Sequence, residues 1–255
     1  MTVLRNVVFI AALAGLVAGV VLAALQAYAT VPLILKAETF ENAEPAHDHG
    51  AAAPADAGVA AQAPAEAAPH VHEHGEDAWA PADGFERFAY TTVANVVSGI
   101  GFALILLAAS ELAGGIAGWR QGLIWGFAGF AVFTLAPGLG LPPELPAMPA
   151  ADLFDRQVWW IGTVVATAAG LAMIAFRRSA VLALVGVALI VAPHVIGAPQ
   201  PASHETPVPT DLHHEFVVAT TITNLLFWLV LGAVAGAVRS RFMGGEEAGL
   251  RGSFA

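Results

Sequence analysis

Residues 6–25 read NVVFIAALAGLVAGVVLAAL, twenty consecutive positions without a charge. A helix of that length rises about 30 Å, the thickness of the hydrocarbon core of a bilayer. The rest of the 255-residue chain repeats the signal: 57% of it is hydrophobic and only 12% charged. A soluble domain of this length carries about twice that charged share. The fold class that follows is an all-α integral membrane protein, a bundle of six transmembrane helices. The spans are expected at residues 6–25, 88–109, 122–135, 158–176, 180–192 and 216–238. The third and fifth are short, and each is expected to end at a proline, Pro137 and Pro193.

The first span has a rival reading. The small residues AYA at 27–29 resemble a cleavage site, which would leave five helices. The apolar region, however, is longer than the roughly 7–15 residues of a signal peptide, so a retained helix is expected.

Charge sets the orientation. With the N-terminus in the cytoplasm, Arg5, Arg120, Arg177, Arg178, Arg239, Arg241 and Arg251 lie inside, and only Lys36, Arg87 and Arg156 lie outside. That bias obeys the positive-inside rule, and six spans bring the C-terminus back to the cytoplasm. All nine histidines and seventeen of the twenty acids then face outward. An anionic, imidazole-rich surface raises the local cation concentration.

Composition also excludes chemistry. The chain has no cysteine, which removes disulfides, zinc–thiolate centres, thioether haem and iron–sulfur clusters. Its one lysine, Lys36, lies in no glycine-rich loop, so a Walker-type nucleotide site is absent. Nothing resembles HExxH or another helix-borne metal pair with a general base, so no enzyme is expected.

Residues 1–255 read as one membrane domain, interrupted at 43–78 by an Ala/Pro/His/Glu-rich segment without apolar periodicity, an expected disordered tether outside the cell. It carries HDHG at 47–50 and PHVHEHGED at 69–77, hence His47, His49, His70, His72 and His74. Neutral imidazole suits Co2+, Ni2+ and Zn2+, but a flexible tether imposes no geometry and cannot choose among them. Imidazole must lose its proton to bind, so capture should fall below about pH 6.

Further candidates lie nearer the bilayer. His194 follows Pro193 at the expected break of the fifth span, and an ionisable group beside a broken helix is a functional-site candidate. His213 and His214 occupy the first turn of the last helix, and Glu144 in LPPELP offers a hard oxygen ligand held by prolines. Asp83 and Glu86 have the spacing of an acidic capping box at the second span, and Asp211 is placed to cap the last helix. Thr92 and Asn95 in the second span echo Thr221 and Asn224 in the sixth, and Glu38 lies near the outer mouth; these five are candidates to line a pathway. The glycine pairs 15/19, 122/126 and 232/236 permit close helix approach.

Together, VPLILKAETFE, the histidine-rich loop, WAPADGFER, WRQGLIWGFAGFAVFTLAPGLGLPPELP and PHVIGAPQP resemble the CbtA family, predicted cobalt transporter subunits. The resemblance covers nearly the whole chain. It implies a bacterial inner-membrane protein tied to cobalt supply, working in the lipid bilayer beside a small histidine-bearing CbtB-like partner and without nucleic acid. Other cobalt systems fit less well: the His-x4-Asp-His of nickel/cobalt permeases fails because Ala43 stands where the first histidine belongs before Asp48-His49. Thr2 stands where energy-coupling cobalt permeases place a histidine. The expected function is a permease subunit taking up a divalent transition metal, cobalt first and Ni2+ or Zn2+ as alternatives, with no permanently bound cofactor. The alternative is a membrane metal sensor or assembly protein that does not transport.

Overall fold

A computed structural model of the chain describes residues 2–41, 81–176 and 179–242. They form α1 (Thr2–Ala29), α2 (Val31–Glu41), α3 (Phe85–Leu112), α4 (Trp119–Phe130), a π-helical turn (Ala131–Leu135), α5 (Ala136–Gly140), α6 (Leu153–Phe176), α7 (Ala180–Ile196) and α8 (Thr210–Phe242). No strand occurs among the described residues.

Five segments are long and apolar enough to cross a membrane: Leu4–Ala29, Phe85–Leu112, Trp119–Gly140, Leu153–Phe176 and Thr210–Phe242. The expected fifth span is different in kind. At 17 residues, α7 is apolar but rises only about 25 Å, short of a hydrocarbon core of about 30 Å. The long helices overrun the apolar stretches seen in the sequence, carrying acids such as Glu86, Asp155 and Asp211 in their first turns.

The prolines do not end their helices as expected. Pro193 lies inside α7, which runs on to Ile196 and stops where Gly197 takes a φ of 90°, a value an L side chain rarely adopts. Pro137 is carried in α5, directly continuous with the π turn. There the Ala136 N–H reaches back five residues to the carbonyl of Ala131, and this wider register accommodates the proline ring. The third span is therefore one continuous helical rod with a local change of pitch.

Without a hydrophobic force between helices in lipid, packing depends on how closely backbones approach. Here α1 lies between α3 and α8, and α4 runs along α8. Gly15 meets the backbone of Gly99 and Ile100, and Gly19 that of Val96. Gly122 and Gly126 meet the backbones of Gly232 and Trp228, and Gly236 meets Gly118. Around these contacts Ile10, Ala14, Ala103, Leu107, Leu231 and Ala235 are fully buried. Trp228 fills the centre, its ring stacked on Phe133 at 5.5 Å and its indole N–H donated to Thr134 Oγ1 at 3.2 Å.

The two ends of the bundle are fixed differently. At one end Arg239, only 5% exposed, donates to Glu111 Oε1 at 2.6 Å, Glu111 Oε2 at 3.1 Å and the carbonyl of Ile116 at 2.9 Å. The turn after α3 passes so close that a side chain at Gly115, itself at φ 81°, would strike the guanidinium. At the other end α2 lies across the start of α8, with Ala37, Leu145, Val208, Leu212 and Phe216 forming a second small core. These are called below the Arg239 end and the His213 end.

The caps differ from expectation. Gly84 precedes α3 and offers no side-chain cap; Glu86 accepts from the Ala82 N–H at 3.3 Å, while Asp83 pairs with Arg87 at 3.1 Å. Arg87 draws Asp83 away because it already anchors α3 to Glu38 on α2 at 3.1 Å. Asp211 lies inside the first turn of α8, one residue past its start, where its charge suits the positive helix end.

Two stability results follow. Replacing Gly122 with leucine drives a side chain into the Gly232 carbonyl and should cost about 3 kcal/mol, the upper end of overpacking. Gly101→Ala and Gly162→Ala, where a Cβ meets nothing within 4 Å, should be neutral or stabilise by up to about 1 kcal/mol. Thermal unfolding in detergent compares them; equal effects would contradict the packing described. Likewise, Glu111→Ala removes the carboxylate that balances a buried guanidinium and should destabilise by about 3 kcal/mol. The double variant E111L/R239M should recover most of that loss in the same assay, and a double variant as unstable as the single would refute the pairing.

Candidate metal and pathway sites

The described histidines gather at the His213 end but in separate surroundings. His213 is half-buried in the first turn of α8, and its Nε2 lies 3.1 Å from the carbonyl oxygen of Pro143. A carbonyl only accepts, so Nε2 is the donor here, and in the neutral ring Nδ1 is the nitrogen with the lone pair. The contact ties α8 to the LPPELP segment, whose Glu144 is in turn held by Arg156 of α6 at 3.2 Å. The motif that suggested a hard ligand is thus clamped on both sides, by an imidazole and by a guanidinium.

His194 lies in the last turn of α7, half-buried, with its ring edge-on to Trp159 at 6.0 Å. The Trp159 indole donates to the carbonyl of Pro193 at 3.3 Å. His194 therefore belongs to a helix end packed on α6, and the expected break before it does not occur. His214 is exposed and shares a surface groove of about 460 Å3 with Asp211 and Glu215. His204 is exposed in the connection between α7 and α8. Among the described residues no three His, Asp or Glu side chains are placed to hold one metal ion. His47, His49, His70, His72 and His74 lie outside the described residues.

The pathway candidates divide into bonded pairs. Asn95 donates to Gln26 Oε1 of α1 at 2.6 Å, a polar clasp between two spans. Asn224 instead donates to the carbonyl of Thr220 on its own helix at 2.9 Å. Thr92 and Thr221 each bond the carbonyl four residues back, at 2.7 Å in both cases, so the two halves of the threonine echo behave alike and the asparagines do not. Glu38 is held by Arg87.

Sequence reasoning missed two groups. Thr167 Oγ1 and Thr220 Oγ1 are buried without a hydrogen-bond partner, unlike the other threonines of these helices. Thr163, Thr167 and Gly170 recur at helical spacing, and all three are buried. That period was the available signal. Gly170 also packs directly on Gly186 of α7, a fourth glycine contact, which lacks the four-residue spacing of the others. Beside LPPELP, a groove of about 510 Å3 is lined by Pro142, Pro143, Arg156, Gln157 and Trp160.

Chemically, the His213 end offers single imidazoles, each in its own setting, and two carboxylates, Glu38 and Glu144, already paired with arginine. No curated protein and no solved structure matches the chain. The model of one family, described as the probable cobalt transporter subunit (CbtA), matches residues 4–240. That span takes in every transmembrane helix, the Arg239 clasp and the LPPELP clamp, and the chain belongs to the CbtA family.

Proposed function

We propose that the chain is the membrane permease subunit for uptake of a divalent transition metal, with Co2+ as the transported ion. The observation that carries this reading is the match of the cobalt transporter family over residues 4–240, on a chain with five helices fit to cross a membrane. Nickel and zinc are the competitors that imidazole chemistry would admit.

On this reading the Arg239 end faces the cytoplasm and the His213 end the periplasm, in the inner membrane. α7 is the sixth crossing, and α1 is retained. Seven arginines expected inside (Arg5, Arg120, Arg177, Arg178, Arg239, Arg241 and Arg251), against Lys36, Arg87 and Arg156 outside, support that orientation. The burial of Ile10, Ala14 and Ala18 among α3 and α8 supports retention, since cleavage would strip the bundle of its central helix.

The tether histidines His47, His49, His70, His72 and His74 act as capture groups that concentrate the ion without selecting it. His194, His213, His214 and Glu144 receive it at the membrane edge, where Nδ1 of His213 is the open ligand position. Glu38, Thr92, Asn95, Thr221 and Asn224 offer oxygens along the route. An inward potential favours a divalent cation by about 2.3 kcal/mol per charge per 100 mV, which supplies a driving force without nucleotide. A small histidine-bearing partner of the CbtB kind would complete the ligand set.

Cobalt uptake in proteoliposomes tests the division of labour. Deleting residues 43–78 should lower uptake at limiting cobalt and leave the saturated rate nearly unchanged; loss at every concentration would make the tether part of the route. His194→Ala should lower the saturated rate about tenfold, the weight of one lost charge-assisted contact. Metal binding by the intact chain with no uptake, under an imposed potential and with its partner present, would sink the permease reading in favour of a sensor or assembly protein.

A further inference from the structure

The helices α6 and α7 form an antiparallel hairpin that stands apart from the rest of the bundle. They pack on each other through Gly170, Gly186 and Ile190. Toward the remaining helices, α6 packs at the π turn and α5, and α7 at α5; neither runs along α1, α3 or α8. Both chain connections of the hairpin to the bundle, residues 141–152 and 197–209, lie at the His213 end.

That end is pinned. Gly140 of α5 sits flush against Trp159 and Ala198, Arg156 of α6 holds Glu144 in the connection before it, and Thr206 Oγ1 donates to the Ala147 carbonyl at 3.0 Å, while Trp159 bonds the Pro193 carbonyl within the hairpin. At the opposite end the hairpin meets α4 in a ring pair, Trp125 and Phe176 of α6, with centroids 6.3 Å apart, and no hydrogen bond or salt bridge to the bundle is found there among the described residues. Between the two ends Phe133 of the π turn lies between Trp228, stacked at 5.5 Å, and Trp160 of α6, at 6.3 Å.

The same turn carries polar groups inside the apolar segment Trp119–Gly140. Ala136 N–H is bonded to the Ala131 carbonyl, and the next bond of that five-residue register would come from Pro137, which has no N–H. The carbonyl of Val132 is thereby left without the donor its register calls for. One residue from Phe133, Thr134 Oγ1 accepts from Trp228 and retains its own proton. Irregular helix at this depth is tolerated where it lines a cavity or is buried in protein.

We infer that the α6–α7 hairpin is a moving element. It swings about the pinned His213 end, parts Phe176 from Trp125, and opens the π turn, with the Val132 carbonyl and the Thr134 hydroxyl, to the Arg239 end. The Phe133 ring is the bearing surface, because its tilted contact with Trp160 of the hairpin involves no hydrogen bond that a shift would break. What passes through the opening rests on the permease reading; the motion itself does not. The oxygens uncovered are hard ligands, fit to exchange with the water of a hydrated cation.

The cysteine-free chain allows a direct test in lipid vesicles, with paired spin labels read by pulsed electron resonance. One pair is Ile124→Cys with Val181→Cys at the Arg239 end, the other Leu139→Cys with Val195→Cys at the His213 end; all four side chains are exposed, so the labels should not disturb packing. The first pair should give two distance populations, or a spread about twice that of the second, and the second a single narrow one. Narrow single distributions at both ends would overturn the hinge.

A second variant, W125C/F176C, closed by a short bis-methanethiosulfonate linker that forms a disulfide to each cysteine with loss of methanesulfinate, should collapse the spread at the Arg239 end and cut cobalt uptake at least about tenfold, with recovery on reduction. Full uptake by the closed chain would also overturn the proposal. A chain that moves at the Arg239 end yet takes up no cobalt would leave the hinge standing and remove the permease reading.

Discussion

Everything in this bundle depends on glycine letting backbones touch. Lipid tails are as apolar as leucine, so burying leucine between spans gains little, and stability has to come from close van der Waals contact and a few polar clasps. The contacts of Gly15 with Gly99 and of Gly122 with Gly232 bring α1, α3, α4 and α8 into one unit. That closeness allows a single guanidinium, Arg239, to reach a carboxylate on α3 and a carbonyl in the next turn at once. Such a buried pair costs desolvation, and its value lies in register: it permits only one alignment of α8 against α3.

Sequence and structure agree where the signal is apolar and continuous. The stretch at residues 6–25, the glycine pairs and the helical class were all legible, because bilayer thickness fixes the length and small residues fix the contact faces. The proline readings failed for a local reason. A proline ends a helix when the lost bond cannot be absorbed, and here Pro137 follows a turn of wider pitch while Pro193 stands one turn from an end already marked by Gly197. Neither circumstance can be read from the proline itself. The capping box failed similarly: Asp83 had the right spacing, but an arginine one turn on competed for it.

The candidate site was legible as residue types and not as partners. His213 was singled out as a ligand, yet what the sequence does not display is that Pro143, seventy residues away, is the group its ring meets. The consequence is chemical. With Nε2 occupied as a donor, Nδ1 is the position left for ligation, and losing the loop contact would give up a hydrogen bond of only about 1 kcal/mol. Glu144 is in the opposite condition, since its charge is already balanced by Arg156 and a cation would have to displace a guanidinium. Thr167 shows the reverse failure: nothing in a threonine's identity says that its hydroxyl will be buried without a partner while Thr163, one turn earlier, satisfies its own on the Trp159 carbonyl.

The shortness of α7 bears on why the hairpin stands apart. At about 25 Å the helix is shorter than the hydrocarbon core, and as the sixth crossing proposed above it would be accommodated by local thinning of the bilayer or by polar flanks drawn toward the surface. A helix locked in the centre of a bundle cannot make that adjustment without distorting its neighbours. A peripheral one can, and α7 is peripheral: Val181, Leu184, Val187, Val195 and Ile196 are all half or more exposed. Its partner α6 is 24 residues long and spans fully, so the pair is asymmetric, with the long helix touching the π turn and the short one facing outward. Placing the short helix on the outside leaves the four glycine-packed helices undisturbed, and it keeps the change of pitch at residues 131–135 beside the α6–α7 hairpin.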